Sequence, residues 1–154
     1  MDTKAKRPRW RTNLAYAATP RLLLGVEYNA AAGEWTPTAN WVALIENKSQ
    51  PQVTFGTSSD RIFSPPHKQA YFVTAAKTVT PKIAPYVSLS YSEWEDTLLV
   101  PFGCSFALDD TWSLLPMSDG RNSHLMLTYA KPGFSVTALW VRLRHPGISV
   151  GIAF

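Results

Sequence analysis

The sequence predicts an all-β protein whose antiparallel strands run up and down around a barrel. Two patterns support this prediction. Helical periodicity is nearly absent, because no long stretch spaces apolar residues three and four positions apart without a proline, glycine or β-branched interruption. Apolar and small or polar residues instead alternate with a period of two, which sends successive side chains to opposite faces of a strand. At 154 residues, the chain fits one domain better than two.

The alternating pattern divides the chain into about eleven segments, each long enough for one strand. The clearest is 83–92, where Val87 and Leu89 lie on an apolar face and Ser88 and Ser90 lie on the other. In chain order the segments cover 10–17, 21–30, 36–46, 51–58, 67–78, 83–92, 97–108, 112–117, 123–130, 134–144 and 148–154. Turn-forming residues separate several of them, at Thr19-Pro20, Asn47 to Gln50, Thr80-Pro81, Asp109-Asp110, Asp119-Gly120, Pro132-Gly133 and Pro146-Gly147.

Three further segments repeat an apolar row with mostly small or polar residues opposite it. The rows are Leu22, Leu24, Val26 and Tyr28 in 21–30; Val100, Phe102, Cys104 and Phe106 in 97–108; and Ile148, Val150, Ile152 and Phe154 in 148–154. The recurrence from one end of the chain to the other indicates a single architecture rather than separate modules.

Composition argues against several functional classes. The net charge of +4 comes mainly from a basic head, so 1–9 is predicted to be a solvated tail and 10–154 the barrel domain. The basic residues of that head are Lys4, Lys6, Arg7, Arg9 and Arg11. No later run of basic residues interleaves with aromatics, so no nucleic-acid partner is expected.

The sequence predicts neither a cofactor site nor a transmembrane helix. Cys104 is the single cysteine, which excludes an internal disulfide framework and a cysteine-based zinc site. No phosphate loop, metal-ligand spacing or nucleotide fingerprint occurs, so no cofactor is expected. The sequence contains no run of 18 apolar residues that could form a transmembrane helix. Residues 1–20 also lack the apolar stretch of a signal peptide.

The second face of the segments indicates what surrounds the barrel. In a soluble β-protein the apolar rows point to a shared core, and charged residues cover the outer face. Here the second face carries serine, threonine, glycine, alanine and asparagine, and only 17% of the chain is charged. Such a face suits a barrel interior, so the apolar rows are predicted to face lipid and the barrel to be transmembrane.

Segment length and aromatic placement favour the same interpretation. A tilted transmembrane strand takes about 9 to 11 residues, whereas strands of soluble proteins average about five or six. Aromatic residues gather near segment ends, as in the girdles at the two interfaces of a membrane, although each could also be an ordinary core residue. They are Tyr28, Trp35, Tyr91, Trp94, Trp112 and Trp140.

The last strand carries a family resemblance. The chain ends in ISVGIAF, with Ile148, Val150, Ile152 and Phe154 at alternate positions. This ending resembles that of the outer-membrane β-barrel proteins of Gram-negative bacteria, the porin-like superfamily. The resemblance implies a bacterial outer-membrane location and recognition of these four residues by the barrel assembly machinery. It covers the last strand in detail and the rest of the chain only through the alternation.

The same resemblance orients the connections. If Phe154 ends on the periplasmic side, the longer connections at 31–35, 59–66, 93–96 and 118–123 lie outside, and only the short Pro146-Gly147 connection departs from the expected pattern. Eleven strands is an odd number, whereas single-chain bacterial barrels have even numbers. We therefore expect 10 to 12 strands, with two alternatives: the chain is the carboxy-terminal part of a larger barrel, or 10–17 is not a membrane strand.

Candidate catalytic and metal-binding residues are few. Ser123, His124 and Asp119 could form a Ser-His set, but neighbouring residues of a strand point to opposite faces, so no catalytic residue is predicted. Glu93, Glu95 and Asp96 could bind calcium or tune cation entry, but a solvated loop is the preferred interpretation and no metal site is predicted.

Charged residues of the strands suggest two further roles. Glu27, Glu46 and Lys77 fall on or near the polar face and are pore-lining candidates; in a packed interior they would instead form internal pairs. Arg142 and Arg144 continue the row of 134–144 to the predicted outer rim, where they could contact lipopolysaccharide phosphates or have no ligand.

The predicted function is a non-enzymatic outer-membrane barrel, either a passive porin-like channel or a structural surface component. Its expected partners are outer-membrane lipid, lipopolysaccharide and the assembly machinery, and its oligomeric state is left open. One alternative is a soluble all-β module that binds lipid or carbohydrate, and another is an outer-membrane enzyme that modifies lipids.

Overall fold

The computed structural model describes residues 11–30, 33–60 and 64–153, so the predicted tail 1–9 and Phe154 lie outside the described residues. Twelve strands form within the described ranges, and no helix there is long and apolar enough to cross a membrane. The strands are β1 (Arg11–Thr19), β2 (Leu22–Asn29), β3 (Glu34–Leu44), β4 (Gln52–Ser59), β5 (Gln69–Ala76), β6 (Ile83–Ser92), β7 (Thr97–Leu99), β8 (Phe102–Ala107), β9 (Trp112–Ser118), β10 (Ser123–Lys131), β11 (Phe134–Val141) and β12 (His145–Ile152).

The strands form one antiparallel sheet in up-and-down order, which confirms the predicted all-β class. Neighbours in the chain are neighbours in the sheet, from β1 to β6 and from β8 to β12. β7 and β8 both pair with β6, through Ser90 with Leu99 and Val87 with Phe102. The predicted segment 97–108 therefore forms two short strands that pair with successive parts of β6. The pairing is interrupted at Val100 and Pro101, because proline lacks the N–H that a β-ladder needs.

Chain contacts divide the protein into two compact units, and β6 contributes to both. The first unit contains β1 to β4, β5 up to Ala75, the part of β6 from Ser88 onward, and β7. The second unit contains the part of β6 up to Val87 and β8 to β12. In each unit, successive strands are antiparallel neighbours, the arrangement that short connections favour.

Burial in β3 and β6 is the reverse of that in a soluble protein. In β3, Glu34, Thr36 and Thr38 are buried, whereas Trp35 and Pro37 between them are exposed. β6 repeats the pattern, with Ser88 and Ser92 buried. Among the described residues no apolar side chain is fully buried, and every buried residue is polar or charged. The period-two pattern was predicted correctly, and its apolar row is the exposed one.

The terminal strands are more exposed than the others. Every residue of β1 is exposed, including Leu14 and Tyr16. β12 is exposed at all positions except Gly151, and its Ile148 and Ile152 have relative exposures of 75% and 72%. The alternation therefore separates buried from exposed residues most clearly in β3 and β6, and not in these two terminal strands.

The connection between β11 and β12 differs from the prediction. Pro146-Gly147 is not a turn: both residues lie in β12, paired with Trp140 and Leu139. The chain turns instead at Arg142 and Leu143, whose φ angles are 55° and 53°. Two successive positive φ values are typical of the tight type I′ hairpin turn, which usually carries asparagine and glycine. Arg-Leu-Arg has none of these signals, so the prediction that 134–144 is one strand was wrong at its end.

Close packing against Gly103 of β8 gives a first prediction. A Cβ atom at this position would lie 2.9 Å from the Pro116 carbonyl oxygen and 2.9 Å from Met117 Cβ, and neither can move without shifting β9. Gly103→Ala is expected to lower the free energy of unfolding by about 1 to 3 kcal/mol. Urea unfolding followed by tryptophan fluorescence measures the change.

Gly147→Ala is the matched control, because the nearest atom to its new Cβ would be Leu139 at an ordinary 3.8 Å. This variant should change the free energy of unfolding by less than about 1 kcal/mol. Equal destabilisation by the two variants would contradict the packing described at β8.

Candidate functional site

The candidate site is a group of buried polar residues in the first unit, called here the buried polar cluster. It comprises Glu27, Glu34, Ser59, Asp60 and Ser92, which are between 2% and 6% exposed. Its members lie near the end of β2, at the start of β3, at or just beyond the end of β4 and at the end of β6. Because successive strands are antiparallel, these positions fall at one end of the strands.

Glu27 forms the first part of the cluster. Its Oε1 accepts a hydrogen bond of 2.5 Å from the Ser59 hydroxyl and lies 3.2 Å from Arg11 Nε. The glutamate side chain is 5% exposed, whereas that of Arg11 is half exposed. A buried carboxylate is costly unless charge and hydrogen bonds compensate it, so Arg11 and Ser59 allow Glu27 to occupy this position.

Glu34 and Asp60 attach connecting segments to the strands. Glu34 Oε1 accepts the Thr36 hydroxyl at 3.4 Å and the backbone N–H of His67 in the β4–β5 connection. Asp60 Oδ2 accepts the Ser92 hydroxyl at 2.7 Å and the backbone N–H of Trp94 at 3.1 Å. The two carboxylates therefore link three strand ends to the connections that follow β4 and β6.

Glu93 continues this arrangement in the connection after β6. It accepts the Gln69 backbone N–H and the Tyr71 hydroxyl, each at 3.0 Å. The Gln69 amide has the larger effect and the Tyr71 hydroxyl the smaller one. Both stabilise the charged form of Glu93 and hold its pKa below the ordinary value. The predicted solvated acidic loop is thus tied to the start of β5. Among the described residues, no three His, Cys, Asp or Glu side chains are arranged to hold a metal ion.

The pore-lining candidates are not brought together. Glu27 belongs to the buried polar cluster, whereas Glu46 is half-buried beyond Leu44, past the opposite end of β3. Lys77 is half-buried just after β5, and its backbone N–H donates to the Pro85 carbonyl at 3.1 Å. A role for these three residues in a pore stays a prediction.

Sequence reasoning identified Glu27 but missed the other two buried carboxylates. Glu34 has the same strand parity as Thr36 and Thr38, so extending the polar row of β3 backward by one step would have included it. Asp60 follows the last residue of β4, where alternation no longer applies. The missing information is the tertiary pairing with Ser92, 32 positions away.

His124 at the start of β10 links two turns of the second unit. Its Nε2 lies 3.2 Å from Asp119 Oδ2, and its Nδ1 accepts the backbone N–H of Arg142 at 3.3 Å. Both ring nitrogens therefore face partners other than the Ser123 hydroxyl, which differs from the geometry of a Ser-His nucleophile. The absence of catalysis stays a prediction.

Asp119 is stabilised as an anion within its own turn. Burial by itself would raise its pKa, but the backbone N–H groups of Asn122 and Arg121, together with His124, outweigh that effect. The pKa of Asp119 is consequently below its ordinary value.

The remaining predicted site residues lie at the edges of the second unit. Arg142 and Arg144 lie in the β11–β12 turn rather than in the strand. Ile148, Val150 and Ile152 lie at alternate positions of β12 and are all exposed. Their roles at a membrane rim and in barrel assembly stay predictions. Neither a scan against protein-family models nor a search of curated proteins finds a match to this chain.

Removing the Asp60 carboxylate tests the buried polar cluster. Asp60→Ala leaves the Ser92 hydroxyl and the Trp94 amide without their acceptor, so we expect a loss of about 2 kcal/mol or more in the free energy of unfolding. Chymotrypsin should also cut the 93–96 connection faster, after Trp94. Asp110→Ala, at an exposed position, is the control and should stay within about 0.5 kcal/mol of wild type. Equal effects would show that Asp60 does not organise this end.

Acidification tests the Asp119 turn. Because its pKa is lower in the folded state than in the unfolded state, its stabilising effect is complete above the unfolded pKa and is lost as the pH falls through the folded one. Asp119→Asn should therefore be less stable than wild type at neutral pH, and the difference should shrink at about pH 3. Urea titrations at the two pH values measure it. A difference that does not change with pH would contradict the assignment.

Proposed function

We propose that the sheet closes into an integral β-barrel of the bacterial outer membrane. The barrel acts as a passive porin-like channel or a structural surface component and has no chemistry of its own. Membrane lipid and lipopolysaccharide surround it, and the barrel assembly machinery inserts it. The observation that carries this proposal is the reversed burial of the strands.

The free-energy cost of exposing apolar side chains to water favours lipid as the surroundings of the strands. Leaving one leucine, valine or phenylalanine side chain in water rather than burying it costs about 1.5 to 3 kcal/mol. The exposed row of β6 alone contains Ile83, Val87, Leu89 and Tyr91. A soluble binding module would bury such rows, whereas a membrane barrel needs them against acyl chains. The exposed rows therefore favour the barrel over the soluble alternative.

Aromatic residues near the strand ends support the same proposal. In the first unit Tyr28 and Trp35 are in contact, with ring centroids 4.3 Å apart, and Trp35 is 61% exposed. In the second unit Trp112 and Tyr129 are in contact near one end of β9 and β10, with ring centroids 5.1 Å apart. Rings at strand ends are typical of the two membrane interfaces, where one side is apolar and the other wet.

Strand lengths are compatible with a membrane crossing. β1 and β10 have 9 residues, β6 has 10 and β3 has 11. These lengths match the roughly 9 to 11 residues of a tilted transmembrane strand. In addition, β2 to β6 and β8 to β11 each have hydrogen-bonded neighbours on both sides, as the backbone polar groups of a chain in lipid require.

Heat modifiability tests the proposal as a whole. The full chain, refolded into detergent micelles, should migrate differently on a gel before and after boiling, and it should precipitate without detergent. A stepwise conductance in a planar bilayer would then assign the channel role, and its absence the structural role. A monomer soluble without detergent would contradict the membrane proposal.

A charge on the exposed row gives a sharper test. Val87 is 49% exposed at the middle of β6, so Val87→Arg should cost about 2 to 4 kcal/mol in a bilayer if this position lies near the midplane. Ser49→Arg, in an exposed connection, is the control and should have little effect. The measurement is urea unfolding in lipid vesicles. A Val87→Arg variant as stable as wild type would place this row in water.

A further inference from the structure

Polar residues of the first unit are buried at mid-strand as well as at the strand ends. The face of the sheet that carries the buried rows of β3 and β6 is called here the inner face. Its buried residues include Thr38 near the middle of β3 and Ser88 at the middle of β6, which are 9% and 6% exposed. Side chains that line a water-filled channel are in contact with its water. Burial at mid-strand therefore differs from the wall of an open channel.

We propose that the inner face of the first unit is packed rather than open to water, and that the Phe72 ring provides this packing at mid-strand. The proposal rests on the membrane function proposed above and assigns the barrel its structural role instead of the channel role. A barrel of about eight strands can be filled by its own side chains, whereas about 16 to 18 strands leave an aqueous channel. A sheet of 12 strands lies between these limits, so its inner side chains decide the outcome.

Phe72 of β5 lies on the inner face and covers β4. The position that a Cβ atom would take on Gly56 is 2.6 Å from Phe72 Cε2 and 2.7 Å from Asn40 Oδ1. Asn40 pairs directly with Gly56 and has the strand parity of Thr38, so all of these groups share the inner face. A ring can lie this close to β4 because glycine has no side chain. Phe72 therefore fills space over β4, beside β3.

The hydroxyl groups next to Phe72 bond to the protein. Thr74 has the same strand parity as Phe72, and its Oγ1 lies 2.7 Å from the Ser88 hydroxyl oxygen. The Ser88 hydroxyl also donates to the Val73 carbonyl at 2.9 Å. Buried hydroxyl groups need such partners, and these two find them in the strands themselves. The hydrogen bonds at this level are those of a packed interior.

The inner face of the second unit is unfavourable to hydrated solutes for a different reason. Tyr86 has the strand parity of Ser88 and covers Gly103, whose Cβ position would be 2.8 Å from Tyr86 Cε1. Directly paired residues share a face, so the pairing of β8 to β11 places four half-buried apolar side chains on the inner face as well. They are Leu115, Met117, Met126 and Leu139. An apolar wall favours dewetting over the passage of hydrated solutes.

Cysteine labelling measures whether water reaches the inner face. Thr38→Cys, Asn40→Cys and Ser49→Cys are made singly in a Cys104→Ser background. The full chain is refolded in detergent micelles and treated with a methanethiosulfonate reagent that carries a trimethylammonium group. The two inner positions should react at least about tenfold more slowly than Ser49→Cys, which lies in an exposed connection. A smaller difference would overturn the proposal, because the reagent would then enter an open interior.

Removal of the Phe72 ring tests the role of this residue. Phe72→Ala should raise the labelling rate of Asn40→Cys at least about tenfold, because the ring beside it is lost. Phe55→Ala is the matched control: it removes the same ring from the other face of β4, where Phe55 is 47% exposed, and should leave the rate unchanged. Equal acceleration by both variants would overturn the role of Phe72. If Phe72→Ala does not refold, the labelling of Thr38→Cys still tests the packed interior.

Failure of this inference is distinguishable from failure of the membrane function. The gel shift on boiling and the requirement for detergent report on the barrel, whereas labelling and conductance report on its interior. The wild-type chain should show no stepwise conductance in a planar bilayer. A heat-modifiable protein that conducts, or that labels at Asn40→Cys as fast as at Ser49→Cys, would overturn the packed interior and leave the barrel standing. A chain soluble without detergent would overturn both proposals.

Discussion

The side-chain alternation of a β-strand places opposite demands on the two faces of this sheet. One face carries large apolar side chains and the other carries polar ones, and in β3 and β6 the polar residues are the buried ones. A soluble protein with this arrangement would expose most of its apolar surface and bury most of its hydrogen-bonding groups. Both costs fall if the apolar face meets hydrocarbon and if the buried polar groups bind one another.

In the first unit, the buried polar groups do bind one another through hydrogen bonds and an ion pair. Glu27 is compensated by Arg11 and Ser59, and Asp60 by Ser92 and the amide of Trp94. The bonds also join segments far apart in the sequence, so they fix the connections at one end of the strands. At this end of the strands, polar contacts stabilise the fold as apolar packing does in the core of a soluble protein.

Much of the fold was predictable because alternation is a local property. Segment 83–92 matches β6 at both ends, and the turns at Asp109-Asp110 and Pro132-Gly133 lie where side-chain chemistry indicates them. The β11–β12 turn was not predictable, because Arg142 and Leu143 adopt positive φ without the residues that favour it. Pro146-Gly147 gave a stronger local signal than the true turn, and strand pairing overrode it.

The candidate sites were less predictable than the strands, because they depend on contacts between distant segments. Glu27 could be identified from its strand parity and charge, and it belongs to the buried polar cluster. Asp60 could not, since its significance comes from its hydrogen bond with Ser92, 32 positions away.

Spin labels along β6 test most directly whether the exposed face meets lipid. Single cysteines would be placed at 86–91 in a Cys104→Ser background, labelled in lipid vesicles and examined for collisions with oxygen and with a water-soluble nickel reagent. We predict high oxygen accessibility at Val87 and Leu89, low accessibility at Ser88 and Ser90, and little access of nickel to the first pair. Strong access of the nickel reagent to Val87 and Leu89 would contradict the account.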